Sequence, residues 1–381
     1  MFMRQALDLA ARGMGRTSPN PPVGCVLVRE GQVVGAGFHP RAGEPHAEVV
    51  ALRQAGERAR GATAYVTLEP CAHHGRTPPC AQALIEAGVS RVVVAALDPN
   101  PLVNGRGLEQ LAQAGVAVTT GLLREEAERQ QEVFRHWITR REPFVVFKSA
   151  LTLDGKTATS TGDARWVSTE AARERVHVLR DELDAVVVGV GTVLADDPEL
   201  TCRLPSPAVP SRVPRDPVKV VFDSLARTPP QARLFRAGPR GEAARVLILT
   251  TDRAEGRRVE ALRRAGAEVV ALEAGPEGRV SLASALELLA ARGLIGLLLE
   301  GGSRLAGGFF DAGKVRKVVA FIAPKLVGGG GPTPVAGAGV ARMADAVRLE
   351  RVRVEQLGEG VMIEGYVPWL ERGEDDVYRD C

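Results

Sequence analysis

The sequence is poor in lysine, in aromatic side chains and in net charge. Only 6 of its 49 basic residues are lysine, the aromatic content is 4%, and the formal charge is +3. A charge this small, without a dense basic run, argues against a nucleic-acid or membrane-surface partner. The arginine excess fits heat adaptation and a GC-rich genome equally well. The most apolar stretches, such as residues 293–299, are too short to span a bilayer.

Cysteine is also scarce and shows no disulfide framework. The cysteines are odd in number and are spread over the chain, at Cys25, Cys71, Cys80, Cys202 and Cys381. This usage predicts a reducing, cytoplasmic location. In the N-terminal segment 1–15, charges interrupt apolar positions at helical spacing, which is typical of an amphipathic helix and not of a signal peptide.

The length and the composition indicate two globular domains. A chain of 381 residues exceeds what one hydrophobic core usually organises, and 45% hydrophobic with 25% charged residues is an ordinary soluble composition. A charged run that ends in Pro143 marks the expected boundary. We therefore expect one domain over residues 1–143, a second over 144–370, and a mobile acidic tail over 371–381.

Both halves show predicted strands that alternate with helices. In the first half, the strands at 23–28, 32–37, 64–68, 92–97 and 116–119 alternate with helices at 46–56, 80–87 and 104–114. This order predicts a three-layer α/β/α sandwich, followed by a charged helical segment at 124–139. In the second half, predicted strands recur at 144–149, 185–189, 218–222, 246–249, 268–271, 294–299, 318–322 and 361–367, which indicates another α/β domain.

Four residues of the first half form a metal-site pattern. His46 and Glu48 are two positions apart, and they are followed by Pro70-Cys71 and then by Cys80. One imidazole and two thiolates suit Zn²⁺ and leave a fourth position open for water, whose pKa the metal lowers towards neutrality. In zinc-dependent deaminases the glutamate is not a ligand but the general acid and base. The pattern therefore predicts a hydrolytic deaminase site.

A structural role for the same residues is the alternative. An isolated cysteine is more often a small core residue than a metal ligand. The local context favours the metal site, because His46 lies in the first turn of a predicted helix, Cys71 follows a predicted strand, and Cys80 begins another predicted helix. Ligands at two helix starts and one strand end can converge on a single point.

The spacing of the two cysteines is unusual for this class of deaminase, which typically carries Cys-x-x-Cys. The stretch LEPCAHHGRTPPC, with NPPVG at residues 20–24 upstream, resembles the deaminase half of the bifunctional deaminase/reductase family of riboflavin biosynthesis, the RibD family. The resemblance implies a cytidine-deaminase-like fold. It also implies a diaminopyrimidinone substrate that carries a phosphorylated ribosylamino group.

Several substrate contacts follow from this resemblance. Asn20 is expected to position the pyrimidine. The insert between the cysteines contains two histidines and one arginine, which suit a phosphate, so His73 and Arg76 are candidate phosphate contacts. A rival interpretation makes His74 a fourth zinc ligand, but that ligand would close the water position.

Four stretches of the second half, at 148–156, 162–166, 191–198 and 299–308, resemble the family's reductase half. The glycine-rich turn at 299–308 is weak evidence alone, because it is not the G-x-G-x-x-G fingerprint and tight turns also need glycine. Such a turn does expose backbone N–H groups to phosphate oxygens. The resemblance implies a dihydrofolate-reductase-like α/β fold that uses NADPH. The two resemblances cover about residues 2–368, in the family's order.

Carried over residue by residue, the resemblance implies the contacts of the reductase half. The expected cofactor contacts are Ala150, Trp166, Thr192, Asp196, Ser224, Gly302, Ser303, Arg304, Leu305, Ala306, Gly307 and Gly308. The expected substrate contacts are Ala164, Arg180, Leu200, Arg203 and Glu300. Arg180 and Arg203 are suited to grip the phosphate, and Glu300 to accept hydrogen bonds from sugar hydroxyls.

Lys148 is a candidate catalytic residue, as a proton or phosphate partner in the reduction, although a lysine at a strand end is often merely exposed. Structural alternatives stay open for other residues too. Trp166 suits a core position, Arg180 a solvated helix face, and Asp196 a plain turn.

The sequence therefore predicts a bifunctional enzyme of riboflavin synthesis that uses Zn²⁺ in its first half and NADPH in its second. The first half deaminates the pyrimidinone, and the second reduces the ribosyl group of the resulting aminouracil to ribityl. The alternative is a tRNA-type or free-nucleoside deaminase fused to an unrelated reductase. A catalytically silent binding protein is disfavoured, because every catalytic residue of the deaminase pattern is present.

The family's habit also implies a homo-oligomer, either a dimer or a tetramer. Ser224 and Arg227 follow the predicted strand 218–222, where a reductase of this fold could meet a 2′-phosphate, which favours NADPH over NADH. No residue assigned to one reaction lies in the other half. We therefore expect damage to one site to leave the other reaction intact.

Overall fold

Two β-sheets, one in each half of the chain, organise the fold. The computed structural model describes residues 1–72, 79–100, 103–204, 209 and 212–368. Among these residues, no helix is both long and apolar enough to cross a bilayer. The predicted tail at 371–381 lies outside the described residues.

The first half contains a five-stranded sheet with the strand order β2-β1-β3-β4-β5. Strand β1 is antiparallel to both of its neighbours, whereas β3, β4 and β5 are parallel. The strands are β1 Gly24–Arg29, β2 Gln32–Phe38, β3 Thr63–Leu68, β4 Arg91–Ala96 and β5 Ala117–Thr120. The helices are α1 Phe2–Ala11, α2 Ala47–Ala55, α3 Cys80–Glu86, α4 Arg106–Gln113, α5 Arg124–Gln130 and α6 Glu132–Arg140.

Alternating residues of β1 serve two separate cores, one on each face of this sheet. Cys25 and Leu27 face the core that α2, α3 and α4 cover. Val26 and Val28 face the core that α1 and α5 cover. Because successive side chains of a strand point to opposite faces, a strand that is apolar throughout is buried on both sides. The predicted three-layer α/β/α sandwich is confirmed.

The second half contains a nine-stranded sheet with the strand order β10-β9-β8-β7-β11-β6-β12-β14-β13. All neighbouring strands are parallel except the pairs that β14 forms with β12 and β13. The strands are β6 Phe144–Thr152, β7 Ala185–Gly189, β8 Val218–Phe222, β9 Val246–Thr251, β10 Ala267–Leu272, β11 Gly296–Glu300, β12 Val315–Ala323, β13 Glu350–Leu357 and β14 Gly360–Tyr366. The helices are α7 Glu170–Glu182, α8 Val190–Asp196, α9 Gly256–Arg264, α10 Leu282–Ala291 and α11 Ser303–Asp311.

Two elements differ from the sequence-based expectation. The charged segment at 124–139 is not one helix but two, which meet at Gln131. The side chain of Gln131 is fully buried there and donates a hydrogen bond to the backbone oxygen of Thr67 at 3.1 Å. Strand β13 was not predicted, although Val352 and Val354 alternate with charged residues as in a strand. Nearly all of its positions are exposed, so this alternation marks no buried face.

Candidate active sites

Three potential metal ligands of the first half converge. Nδ1 of His46 lies 3.2 Å from Sγ of Cys80 and 3.7 Å from Sγ of Cys71. The three ligand atoms all lie within 4.8 Å of one another. One imidazole nitrogen and two sulfurs form a donor set that suits Zn²⁺, so these side chains fit the predicted metal.

Each ligand lies at the end of a regular element. His46 is the N-cap residue of α2 and has an extended backbone, and Cys80 is the first residue of α3. Cys71 lies just beyond β3, after a turn at Glu69 that is held by buried hydrogen bonds. The Glu69 carboxylate accepts bonds from the backbone N–H groups of Asp98, Gly105 and Gly107.

The close approach of α4 to this turn requires a glycine. A Cβ at Gly107 would lie 1.9 Å from the backbone oxygen of Pro70. A larger residue at this position would therefore displace the turn that carries Cys71.

Glu48 lies in the first turn of α2 and is 3% exposed. Burial raises the pKa of its carboxyl group to about 7. Hydrogen bonds from Cys80 and His46 lower the pKa of Cys71, which favours its thiolate form. A carboxyl group with a pKa near neutrality is suited to both accepting and returning a proton.

Asn20 is held beside this centre by His39, which the sequence analysis missed. Nδ2 of Asn20 lies 3.1 Å from Nε2 of His39, and Nδ1 of His39 lies 3.2 Å from the backbone oxygen of Pro45. The His39 ring stands edge-on to the ring of His46, with centroids 5.3 Å apart. Burial lowers the pKa of His39, which favours its neutral form. His39 has no motif spacing to either residue, so the sequence carried no signal for it.

The two predicted phosphate contacts of this half, His73 and Arg76, fall within residues 73–78, outside the described residues.

In the second half, the structure pairs Arg180 with Glu300. Nε and Nη2 of Arg180 donate to the two carboxylate oxygens of Glu300 at 2.6 and 2.9 Å, and Nη1 donates to the backbone oxygen of Thr201 at 2.9 Å. Both side chains are buried. The guanidinium of Arg180 is therefore committed to protein partners.

Lys148 completes this cluster of charges. Its Nζ lies 3.7 Å from Oε2 of Glu300. Burial alone would raise the pKa of Glu300, but the charges of Arg180 and Lys148 outweigh burial and lower this pKa to about 2. Burial lowers the pKa of Lys148, and the charge of Glu300 opposes that change. A lysine of reduced pKa releases its proton more readily than an exposed one.

His177 is a second residue that the sequence analysis missed. Its Nδ1 accepts a hydrogen bond from the backbone N–H of Arg203 at 3.2 Å. Burial and the charges of Arg180 and Arg203 lower the pKa of His177 to about 4, so the ring is neutral at ordinary pH. His177 lies three positions before Arg180 on α7, and this helical spacing is the signal that could have found it.

Arg203 itself is more exposed. Its Nη1 donates to Oε2 of Glu199 at 3.0 Å and to Oγ1 of Thr201 at 2.9 Å. Leu200, the other predicted substrate contact of this segment, is buried and has a positive φ of 55°.

The glycine-rich turn lies between the ends of β7 and β11. A Cβ at Gly301 or at Gly302 would lie 3.3 Å from Oγ1 of Thr192, so this turn packs directly on the start of α8. Both glycines have positive φ, which other residues rarely adopt. Helix α11 begins at Ser303, and its first N–H groups have no acceptor within the helix. These features fit a cofactor phosphate. The rest of the predicted turn lies in α11, where Ala306 and Gly307 are buried, Leu305 is half-buried, and Arg304 and Gly308 are exposed.

The other predicted cofactor and substrate contacts lie on separate elements. Trp166 is 65% exposed, and the guanidinium of Arg173 lies 4.7 Å from its ring centroid. Oγ of Ser224 accepts a hydrogen bond from the backbone N–H of Val280 at 3.0 Å. Ala164 and Asp196 are exposed, and Ala150 is half-buried on β6.

Comparison with known proteins matches both halves. The model of the RibD C-terminal domain matches residues 143–363, more than half of the chain. The model of the cytidine and deoxycytidylate deaminase zinc-binding region matches residues 1–96. The riboflavin biosynthesis protein RibD of Aquifex aeolicus is 42% identical, over 95% of this chain and 96% of the relative. The same protein of Escherichia coli is 40% identical, over 95% of this chain and 97% of the relative. The chain belongs to the RibD family.

Solved structures agree with this membership. RibD of Acinetobacter baumannii superimposes with a TM-score of 0.81 at 37% identity, over 97% of this chain and 98% of that one. The diaminohydroxyphosphoribosylaminopyrimidine deaminase/5-amino-6-(5-phosphoribosylamino)uracil reductase of Thermotoga maritima gives a TM-score of 0.82 at 36% identity, over 96% and 98%. The predicted fold class is therefore confirmed in both halves. As a RibD-family member, the chain is a bifunctional enzyme of riboflavin biosynthesis, with a zinc-binding deaminase half and an NADPH-dependent reductase half.

Proposed function

We propose that the first half deaminates 2,5-diamino-6-ribosylamino-4(3H)-pyrimidinone 5′-phosphate. The second half then reduces 5-amino-6-(5-phosphoribosylamino)uracil to the ribitylamino compound. The observation that carries this proposal is the presence of two separate clusters of ionisable side chains, one in each half. One surrounds the buried carboxyl group of Glu48, and the other joins Lys148, Glu300 and Arg180.

For the deaminase, we assign the metal to His46, Cys71 and Cys80. Zinc held there supplies a Lewis acid that activates water. Glu48 accepts a proton from the attacking water at its carboxylate and gives it to the amine that leaves as ammonia. The pKa of about 7 supports this role, because both protonation states are then accessible near neutral pH.

Substrate contacts in this half are assigned to Asn20, His73 and Arg76. The hydrogen bond between Asn20 and His39 fixes the carboxamide and so supports a role in orienting the pyrimidine. His73 and Arg76 are assigned on the chemistry of their side chains alone, which suits a phosphate.

For the reductase, we assign Lys148 as the proton donor. NADPH supplies the hydride when bound. Lys148 has a lowered pKa and lies beside Glu300, so it can deliver a proton to the substrate. The amine that remains is neutral, and the carboxylate of Glu300 stays paired with Arg180. Glu300 and Arg180 shape the substrate side of the pocket as a fixed pair, and Arg203, with its more exposed guanidinium, is the group that we assign to the phosphate.

The remaining contacts of the second half are assigned by position. Ala164 and Leu200 are proposed to contact the substrate. The cofactor is assigned to the strand ends and to the start of α11, through Ala150, Trp166, Thr192, Asp196, Ser224, Gly302, Ser303, Arg304, Leu305, Ala306, Gly307 and Gly308. The positive φ of Gly301 and Gly302, and the start of α11 directly after them, support this assignment, because backbone N–H groups at a helix start can bind a phosphate.

The proposal extends to the organisation of the chain. We assign residues 1–143 to the deaminase domain and 144–370 to the reductase domain, a division supported by the gap between Arg140, where α6 ends, and Phe144, where β6 begins. We further propose a cytoplasmic protein that acts on a small molecule and binds neither nucleic acid nor membranes, on the basis of its modest charge and its free cysteines. The proposal of a homo-oligomer, either a dimer or a tetramer, rests on the family's habit alone.

One experiment tests the two proposed reactions and their order. The purified chain is incubated with the diaminopyrimidinone phosphate, with and without NADPH, and the products are identified by mass spectrometry. We expect the aminouracil without NADPH and the ribitylamino compound with it. Efficient reduction of the substrate before deamination would contradict the proposed order.

A further inference from the structure

The end of helix α7 carries a buried carboxylate that binds parts of both halves. Asp181 is 1% exposed. Its Oδ1 accepts hydrogen bonds from Nη2 of Arg16 at 2.6 Å and from the backbone N–H of Arg215 at 2.9 Å. Its Oδ2 lies 2.9 Å from Nη2 of Arg212. A buried carboxylate needs such partners, and here one of them, Arg16, comes from the deaminase half.

Arg16 reaches Asp181 from the loop that follows α1. Its Nη1 also donates to the backbone oxygen of Asp181 at 2.8 Å, and its Nη2 donates to the backbone oxygen of Val213 at 2.5 Å. A Cβ at Gly15 would lie 2.5 Å from the backbone oxygen of Asp181, so the glycine permits this approach. Arg16 therefore ties the end of α7 to residues 212–215.

Residues 212–216 lie beside the proposed substrate segment, residues 200–203. Oδ1 of Asp216 accepts a hydrogen bond from the backbone N–H of Cys202 at 2.7 Å. From the other side, Arg180 holds the backbone oxygen of Thr201 at 2.9 Å. The substrate segment is thus held between α7 and the residues that the Asp181 cluster fixes.

The same N-terminal loop also reaches the start of β11 and the deaminase site. Oγ of Ser18 lies 3.0 Å from Oδ2 of Asp184, which accepts hydrogen bonds from the backbone N–H groups of Ile295 and Gly296. Two residues further on, Asn20 bonds to His39 beside the metal ligands. The short loop that carries Arg16, Ser18 and Asn20 therefore contacts residues beside both sites.

We propose that Arg16 is a positioning residue of the reductase that the deaminase half supplies. Through Asp181 it fixes the segment that contacts the reductase substrate, residues 200–203. This inference rests on the substrate contacts proposed above for that segment. Because Arg16 acts on substrate placement and touches none of the proposed cofactor contacts, its loss raises the KM for the aminouracil phosphate without raising the KM for NADPH. The expectation from sequence motifs that damage stays within one half therefore has one exception.

The test is the variant Arg16→Met, which keeps the aliphatic stem and removes the donors. The full-length, zinc-loaded chain is supplied with the aminouracil phosphate and NADPH. We expect the KM for the aminouracil to rise about tenfold and the KM for NADPH to change less than about twofold. Arg16→Lys keeps a cation beside Asp181 and should recover part of the loss. Arg4→Met, which breaks the exposed ion pair with Glu126 in the same half, is the matched control and should leave both constants unchanged.

Arg203→Met separates failure of this inference from failure of the proposed function. An unchanged aminouracil KM in Arg16→Met, beside a raised one in Arg203→Met, would overturn the inference alone. Unchanged values in both variants would remove the substrate assignment of the segment and, with it, the inference. Equal rises in the KM for both reductase substrates would also overturn it, because they indicate a general loss of structure.

Discussion

The deaminase and reductase sites differ in how far apart their residues lie along the chain. The metal ligands and Glu48 all fall within residues 46–80, on α2, on α3 and on the turn after β3. The reductase cluster brings together Lys148 on β6, Arg180 on α7 and Glu300 on β11. A local site is visible as a motif with fixed spacing, whereas a site built from distant strand ends depends on the sheet order.

The two sites also differ in electrostatic character. Burial dominates in the deaminase and leaves the carboxyl group of Glu48 with a pKa of about 7. In the reductase, a buried ion pair dominates and holds the pKa of Glu300 at about 2. The first carboxyl group can therefore exchange a proton near neutral pH, and the second serves as a permanent charge. Substitution of Glu48 should accordingly affect proton transfer, and substitution of Glu300 should affect the buried ion pair.

The largest effect is expected for Cys80→Ala, which removes one of three ligands. The wild-type chain should hold about one zinc ion, as expected for a single three-ligand site. The variant should lose this ion and, as a result, its deaminase activity. Reduction of added aminouracil should continue. Metal analysis and the two separate assays measure this. Cys202→Ala removes a buried thiol of the other half and should keep its zinc. Retention of zinc in Cys80→Ala would contradict the ligand assignment.

Glu48→Gln should remove deamination but not the metal. Loss of a general acid and base lowers the rate by about 10²–10⁴-fold. Zinc content should stay at the wild-type level, because Glu48 is not a ligand. Glu57→Gln, on the exposed turn after α2, is the matched control and should remain fully active. Deaminase activity that survives in Glu48→Gln would contradict the assignment of Glu48 as the general acid and base.

The contrast between the sites also explains how much the sequence could predict. The convergence of His46, Cys71 and Cys80 was predicted correctly, because each lies at a helix start or strand end that the sequence pattern marks. The pairing of Arg180 with Glu300 was not predicted. It arises because β11 lies between β7 and β6 in the sheet, and strand order is not encoded in any local pattern.

His39 and His177 were missed for a related reason. Each acts through hydrogen bonds to a neighbour that is distant in sequence, Asn20 in one case and Arg203 in the other. Strand β13 was missed although Val352 and Val354 alternate with charged residues, and it lies exposed at the sheet edge. Long-range pairing therefore accounts for the failure to predict His39, whereas His177 and β13 had local signals in the sequence.

Glu300→Gln should weaken the reductase without affecting the deaminase. The change leaves the buried guanidinium of Arg180 without its counter-charge, and breaking a buried pair typically costs about 3–5 kcal/mol. We expect reduction to fall about a hundredfold and the second half to unfold at lower denaturant concentration.

Kinetics of both reactions and denaturant unfolding measure this. Glu268→Gln, which breaks the exposed pair with Arg292, is the control and should change neither. Normal reduction in Glu300→Gln would show that the pair is dispensable.

A pH effect on stability should reveal the neutral histidine of the reductase. The pKa of His177 is lowered from its ordinary 6.5 to about 4 in the fold, so the unfolded chain takes up its proton first as the pH falls. The free energy of unfolding should therefore decrease between pH 6.5 and pH 4. Below pH 4 the stabilisation that neutral His177 provides at higher pH is fully lost. His177→Asn cannot titrate and should show a shallower decrease. Identical pH slopes in denaturant unfolding of the two proteins would exclude this contribution.

The smallest effect is expected for cofactor choice. Oδ2 of Asp223 accepts hydrogen bonds from the backbone N–H and the hydroxyl of Thr228 at 2.6 and 2.8 Å, which fixes the turn that carries Ser224 and the exposed Arg227. Arg227 lies a few residues beyond the end of β8, where we propose that it meets the 2′-phosphate of NADPH. Arg227→Ala should lower the preference for NADPH over NADH roughly tenfold, since one charged hydrogen bond is lost.

The ratio of kcat/KM for the two cofactors measures this preference. Arg257→Ala, which removes an exposed arginine paired with Glu255 on the neighbouring α9, is the matched control and should leave the ratio unchanged. The effect is modest because water and salt screen the charge of an exposed arginine, which weakens its attraction to the phosphate. Equal efficiency with both cofactors, in the wild type and in Arg227→Ala alike, would remove the basis for this assignment.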